Sequence, residues 1–363
     1  MHKKNLFIVN TPFHLLTSFI LSKSIFKEDE NYLALIHPHG YEKWGDSCVM
    51  NYMSSKDCGY KEVFPLIQWM TSKNKSQTYR EQAQIIKQSI GQFGIETIFL
   101  GSDIDIQNQL LVATLGKDRF CRYEDGLYSY YNENRRRSWS HMFFHKMKIH
   151  GIEWLAGIKD QLYINTSTAS DSKAGIADFM YKPALLQRYS PNSQEITNTM
   201  IQTAVTDLVE KSILIPKMKK KTILYLSQPL VEQGTFTIEE EFCRLEKIVQ
   251  GFAGTMTLLY KPHPNDSVGK LEFYKKNLPQ MEFFTSIEPV ELLFACEENL
   301  FGVISYQSTA LMFPDKFAKH KIKAMSLVHF YKEPLHPAYI EIMQGAGVVF
   351  PKHIEAVATE LFL

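Results

Sequence analysis

The stretch Leu258-Leu-Tyr-Lys-Pro-His-Pro-Asn-Asp266 decides how the chain is read. Its three leading apolar residues predict a buried strand, and two prolines then forbid its continuation. Lys261 and His263 are thereby held on a stiff turn at the strand's carboxyl end, the edge at which open α/β sheets bind ligands. Lysine as a point charge and histidine as a donor or proton source both suit a phosphate. Taken alone, the stretch reads equally well as a proline-rich turn facing solvent.

The flanking sequence repeats the same rhythm. Before the stretch come a strand, Thr222–Leu226, the loop Ser227-Gln-Pro-Leu and a helix, Glu239–Gly251. After it come an extended Met281–Phe284, a helix Pro289–Ala295, and a strand Leu300–Ser305 that runs into Tyr306-Gln-Ser-Thr309. A strand Ile322–Leu327 and a final helix from about His353 close the chain. In the first half, Leu6–Val9 predicts a buried strand, with Thr11 and Pro12 as N-cap and first-turn proline of a helix Phe13–Phe26. Further strands are expected at Tyr32–His37, Glu62–Ile67, Glu96–Leu100 and Arg119–Tyr123. Helices are expected near 43–54, at Gln77–Phe93 and over 192–211. Strands alternating with helices imply βαβ units and mostly parallel sheets. The basic connection Pro216-Lys-Met-Lys-Lys-Lys221 divides the chain into domains 1–216 and 217–363, with a last helix able to pack back on the first. The fold class expected is α/β of the GT-B kind: two doubly wound, Rossmann-like domains facing across a cleft.

Composition bounds the partners. The 363 residues, 45% apolar and 22% charged, are ordinary for a soluble globular protein of two domains. A net charge of +1 argues against a nucleic-acid partner. Cys48, Cys58, Cys121, Cys243 and Cys296 have no metal-ligand spacing and read as reduced thiols. The short apolar run near the start is broken by Asn10, Thr11 and Pro12, unlike a signal peptide, and no stretch approaches the roughly 20 residues of a membrane span. A cytoplasmic location is expected. The basic aromatic segment 135–154, with Arg135–Arg137, Trp139, Phe143, Phe144 and Trp154, could hold the protein against an anionic inner membrane face. A helix with one solvated charged face is the plainer reading.

Three further elements can converge with the opening turn. Tyr123-Glu-Asp-Gly126 ends a strand and turns at the glycine, presenting two carboxylates, either of which can take a proton from a hydroxyl. Glu291, early in a helix, can accept from ribose hydroxyls or serve the helix dipole. Ser308-Thr309 offer hydroxyls and backbone N–H groups at a helix start, a phosphate cradle. Asp103-Ile-Asp105 spells the DxD of some metal-dependent transferases, yet reads here as a polar loop, and no metal is expected.

This set, in this order, resembles the bacterial sialyltransferases of GT-B type, the lipooligosaccharide and capsular group with its polysialyltransferases. Asn10-Thr-Pro-Phe-His-Leu-Leu16 is similar to the start of that group, which often has Gln where this chain has His14. The resemblance implies an inverting, metal-independent transfer of sialic acid from CMP-sialic acid to a sugar hydroxyl of lipooligosaccharide, O-antigen or capsule, with no cofactor beyond that co-substrate. It implies Asp125 as general base, with Glu124 beside it. His263 becomes the acid or hydrogen-bond donor on the departing CMP phosphate. Lys261, Ser308 and Thr309 hold that phosphate and Glu291 the ribose, with Pro264 and Ser227 also on the donor side. Thr11, Pro12 and His14 fall to the acceptor. The first domain would then bind the oligosaccharide or glycolipid acceptor and the second the CMP-sugar. Two other readings compete: a CDP-glycerol glycerophosphotransferase of teichoic-acid type, which shares the Lys-Pro-His-Pro turn and the Ser/Thr pair, and a non-catalytic GT-B relative that binds nucleotide or glycan.

Overall fold

The computed structural model describes residues 2–37, 47–67, 75–131, 139–157, 172–210 and 218–362. The chain divides into two compact units, Met1–Leu214 and Ile215–Leu363. The boundary expected at 216–217 lies outside the described residues.

Seven parallel strands build the first unit: β1 (Lys4–Val9), β2 (Glu30–His37), β3 (Glu62–Ile67), β4 (Thr97–Leu100), β5 (Phe120–Tyr123), β6 (Gly175–Met180) and β7 (Ser193–Glu195). Their order in the sheet is β3-β2-β1-β4-β5-β6-β7. The helices are α1 (Pro12–Lys23), α2 (Cys48–Met53), α3 (Lys75–Ile85), α4 (Ile106–Thr114), α5 (Trp139–Ala156) and α6 (Asn198–Glu210). Strands covered on both faces read as continuous apolar runs, and Leu6–Val9 are fully buried. Leu6 and Ile8 face one core with Ile36, Ile98 and Leu100. Phe7 points the other way and stacks on Phe99 at 4.7 Å, beside Phe26 and Phe179.

The second unit has five parallel strands, β8 (Thr222–Leu226), β9 (Thr257–Lys261), β10 (Glu282–Phe283), β11 (Leu300–Ser305) and β12 (Lys323–Ser326), in the order β10-β9-β8-β11-β12. Its helices are α7 (Ile238–Phe252), α8 (Val268–Asn277), α9 (Val290–Cys296), α10 (Pro314–Phe317), α11 (Pro337–Gly345) and α12 (Val357–Phe362). Both sheets are doubly wound, and the α/β expectation holds.

Several local expectations differ from the structure. Ser193–Glu195, expected to open a long helix, form an exposed edge strand on β6, and the helix starts only at Asn198. β6 itself was hidden because Asp178 interrupts its apolar run, an interruption tolerated by two arginine partners described below. The helix expected through Phe93 ends at Ile85 and gives way to a π turn, Ile86–Ile90, and a 3₁₀ turn, Gly91–Phe93. α4 was masked by Gln107, Asn108 and Gln109, all buried. In agreement with its place in the second domain, α12 packs Val357, Ala358 and Leu361 into that unit's own core, and Leu361 lies where a side chain on Gly302 would sit, 2.5 Å from an added Cβ. All five cysteines are free.

Candidate functional site

In each sheet the chain reverses its winding beside the first strand, between β1 and β4 and between β8 and β11. Carboxyl ends of strands at such a reversal leave a crevice for ligands. Several residues singled out from sequence follow strands at or next to these reversals: His14 after β1, Glu124 and Asp125 after β5, Lys261 and His263 at and after β9, Ser308 and Thr309 after β11.

In the first unit, Thr11 caps α1 by accepting from the His14 backbone N–H (3.1 Å), and Pro12 occupies its first turn. That cap turns His14 back over the end of the sheet. Its ring is almost wholly buried, and Nδ1 accepts from the Asn10 backbone N–H at 3.4 Å. Nε2 therefore carries the proton and donates to Asp125 Oδ1 at 2.5 Å. Asp125 is reached through β5, whose Tyr123 anchors its hydroxyl on the Ile8 carbonyl and meets the His14 ring edge-on at 5.3 Å. Gly126 follows with φ +103°, a conformation that side chains disfavour, so the loop turns there as expected. The Asp125 N–H donates to Ser129 Oγ at 2.7 Å, while its carboxylate stays partly open to solvent.

Glu124 behaves differently from its neighbour. It is fully buried, and Oε2 accepts from the Tyr130 hydroxyl (2.5 Å) and the Tyr181 N–H (2.8 Å). It ties the loop to the end of β6 and faces away from solvent. Beneath lies a buried ion network. Arg122 donates to Asp178 (2.6 and 3.2 Å) and Asp103 (2.8 Å), and Arg188 donates to Asp178 (3.0 and 3.2 Å) and to the Ser129 carbonyl (2.5 Å). Burial alone would raise the Asp178 carboxyl, but hydrogen bonds from both arginines outweigh it and hold the group below its ordinary range. The DxD pair is thus no plain polar loop. Asp103 belongs to this network, and Asp105 caps α4 through the Gln107 N–H at 2.7 Å.

In the second unit, β9 ends at Lys261, and His263–Asp266 form a turn closed by the Asp266 N–H on the His263 carbonyl (2.9 Å), with Pro264 at its corner. Asp266 also accepts from the His263 N–H at 2.9 Å and is held in turn by buried Lys270 at 3.1 Å. The Asn265 N–H donates to His263 Nδ1 at 3.1 Å, which leaves Nε2 as the protonated nitrogen of the neutral ring. Burial lowers the His263 imidazole against the pull of Asp266, favouring its neutral form. Lys261 donates to the Ser286 carbonyl and lies over the Phe284 ring at 5.4 Å. Burial pushes its ammonium down to about 8, with Glu288 and Glu291 acting the other way. Glu291, buried in the first turn of α9, is pushed up to about 7 by burial, which a backbone hydrogen bond and Lys261 partly offset.

On the donor side, Ser227 does not face a ligand as expected, and the helix start expected at Ser308-Thr309 is a short turn. The Ser227 hydroxyl is buried and engaged inward with the Tyr260 hydroxyl (2.6 Å) and Lys270 (3.4 Å). Ser308-Thr309 open only a four-residue 3₁₀ turn, Thr309–Met312, too short for a useful helix dipole. Any anion there meets hydroxyls and N–H groups alone. The residues that sequence reasoning missed are Gly101, Asp266 and Arg122. Only the Asp266-to-Lys270 spacing, one helical turn, carried a readable signal.

A profile described as Glycosyltransferase family 52 matches residues 62–330, a span that holds Glu124, Asp125, Lys261, His263, Glu291, Ser308 and Thr309. No curated protein matches the chain. Among solved structures, a candidate UDP-N-acetylglucosamine 2-epimerase from Listeria monocytogenes is similar over 100% of this chain and 87% of its own, with 12% identity and a TM-score of 0.57. S. aureus MnaA with UDP aligns over 99% of this chain and 88% of its own, at 14% identity and a TM-score of 0.55. The UDP-GlcNAc 2-epimerase of Methanocaldococcus jannaschii covers 98% of this chain and 92% of its own, at 12% identity and a TM-score of 0.52. At such identities the likeness speaks to the GT-B fold.

Proposed function

The chain belongs to glycosyltransferase family 52, and on that premise we propose that it moves sialic acid from CMP-sialic acid to a sugar hydroxyl of a bacterial surface glycan: lipooligosaccharide, O-antigen or capsule. As a glycosyltransferase it takes a nucleotide-sugar donor and a glycan acceptor; the CMP donor, the sialyl group and inversion are the reading argued here. The observation that carries it is the Lys261-Pro-His263 turn, which sets a partly buried lysine and an imidazole with its Nδ1 already engaged directly after β9, at the carboxyl edge of the sheet. Sialyl transfer passes through an oxocarbenium-like state while the CMP phosphate gathers charge. Preorganised donors aimed at that charge supply the largest share of such catalysis. Lys261, His263 Nε2–H and the Ser308-Thr309 hydroxyls take the phosphate, and Glu291 the ribose. Asp125 accepts the acceptor's proton. With charge neutralised this way we propose that no metal takes part, so activity should survive excess EDTA.

The donor class is tested by heat stability in the presence of nucleotides. CMP should raise the melting temperature where UDP and GDP do not; equal protection by UDP would overturn the CMP reading. The effect should peak between about pH 7, where Glu291 ionises, and about 8, where Lys261 loses its proton. Above that window CMP affinity should fall by up to about tenfold per pH unit, since each binding event must then return a proton to Lys261.

Among the described residues no helix is long and apolar enough to cross a membrane. We place membrane contact instead on α5; residues 135–138 of the segment singled out above lie outside the described residues. Ile149 and Ile152 face inward against Ala83, Leu110 and Ala113. Trp139, Phe143, Phe144, Met147 and Trp154 are exposed, with exposed Lys146 and Lys148 at the edges of that face. An aromatic face edged by cations suits an anionic lipid surface. Sedimentation with phosphatidylserine vesicles should exceed that with phosphatidylcholine and vanish in a Trp139→Ser, Phe143→Ser, Phe144→Ser variant. Equal sedimentation of variant and wild type would contradict the assignment.

A further inference from the structure

Gly101, directly after β4, has no side chain for a reason visible in its surroundings. A Cβ built there would lie 2.6 Å from both Cε1 and Nε2 of His14. Contacts that short do not occur, and the obstacle is a ring already held from three sides: the Asn10 N–H on Nδ1, Tyr123 edge-on, and Asp125 on Nε2. The glycine thus forms a slot in which the imidazole sits at one angle. His14 is too buried to meet a substrate, whereas the side chain of Asp125 is 29% exposed. Only one of the two carboxylate oxygens is taken: Oδ1 receives the Nε2–H, and Oδ2 has no hydrogen bond among the described residues.

We propose that His14, seated in the Gly101 slot, is a positioning residue for Asp125. It holds Oδ1 so that Oδ2 alone is presented to the acceptor hydroxyl. The inference rests on the sialyltransferase reading above for its chemistry. In the step it serves, the acceptor oxygen forms the new bond to the anomeric carbon and its proton passes to Asp125 Oδ2. The bond from that carbon to the CMP phosphate breaks, and its electron pair leaves with the phosphate. His14 keeps its Nε2 proton throughout, because Nδ1 is occupied as an acceptor from backbone and has no route to pass a proton on. A neutral donor here orients the base without competing for the proton it must collect. Glutamine also ends in an N–H donor, so the reading predicts that it can replace the imidazole at this position.

The test compares His14→Leu, His14→Gln and Gly101→Ala. A misplaced base costs turnover on the order of 10²-fold. His14→Leu should therefore lose about that much in kcat, with KM for donor and acceptor changed less than about threefold. His14→Gln should recover at least about tenfold of the loss. Gly101→Ala should resemble His14→Leu, and the double variant should be no slower than either, because both remove one contact. Wild-type kcat in a folded His14→Leu protein, or a Gln variant no faster than the Leu variant, would overturn the proposal. If the wild-type protein transfers nothing, the sialyltransferase reading fails by itself. The contact is then judged by melting temperatures of His14→Leu, Asp125→Asn and their double variant. Losses smaller together than their sum uphold the His14–Asp125 contact, and strictly additive losses refute it.

Discussion

Asp125→Asn is expected to lose transfer by about 10³-fold while leaving CMP affinity within about twofold of wild type. The substitution keeps shape and approximate volume but removes the charge that accepts the proton. Every nucleotide contact proposed here lies in the second unit, after residue 260, so calorimetric titration with CMP should not register the change. The neighbouring carboxylate provides the contrast. Glu124 is fully buried and bonded to Tyr130 and Tyr181. Glu124→Gln should lower heat stability and carry no comparable selective loss in turnover. Normal transfer by Asp125→Asn with a dead but stable Glu124→Gln would move the base to Glu124. Full activity in both variants would remove the base from this loop altogether.

Arg122→Leu is expected to destabilise the first unit by about 3 to 5 kcal/mol, the usual effect of removing one member of a buried ion group. The reason lies in what is left behind. Asp103 and Asp178 are both completely buried, and among the described residues Arg188 alone would remain as the charge partner of Asp178. Leu would also leave empty the space beside Gly175 that the guanidinium now fills, 2.6 Å from a Cβ built on that glycine. A melting temperature lower by on the order of 10 °C should follow in a unit of this size. Function should suffer too, because Arg188 also grips the Ser129 carbonyl and Ser129 Oγ receives the Asp125 N–H. A melting temperature within about 2 °C of wild type would mean that the network contributes little and that the Asp125 loop is held by other contacts.

The legible parts of this chain were those governed by local rules. Leu6–Val9 and Thr222–Leu226 announce buried parallel strands by apolar run alone, and Thr11-Pro12 announces a helix start by capping chemistry, all seen in the structure. Pro262 and Pro264 likewise made the His263 turn readable. What stayed hidden depends on contacts far apart in sequence. β6 escaped notice because Asp178 looks like a strand breaker until Arg122, 56 residues earlier, is seen to pair with it. His14 and Asp125 are 111 residues apart, and no periodicity links them. Gly101 carries no signal in the sequence, and its meaning appears only beside the ring it admits. Ser227 misled for the opposite reason: it follows a strand as a ligand-binding serine would, yet Tyr260 and Lys270 draw it inward.

The central claim is the donor and the group transferred. Purified protein would be incubated with a lactose-terminated acceptor and either CMP-sialic acid or CDP-glycerol, in excess EDTA, and the products weighed by mass spectrometry. The account predicts an acceptor heavier by one sialyl residue or more, formed from CMP-sialic acid alone and absent with Asp125→Asn. A glycerophosphate adduct from CDP-glycerol, with no sialylated product, would contradict it.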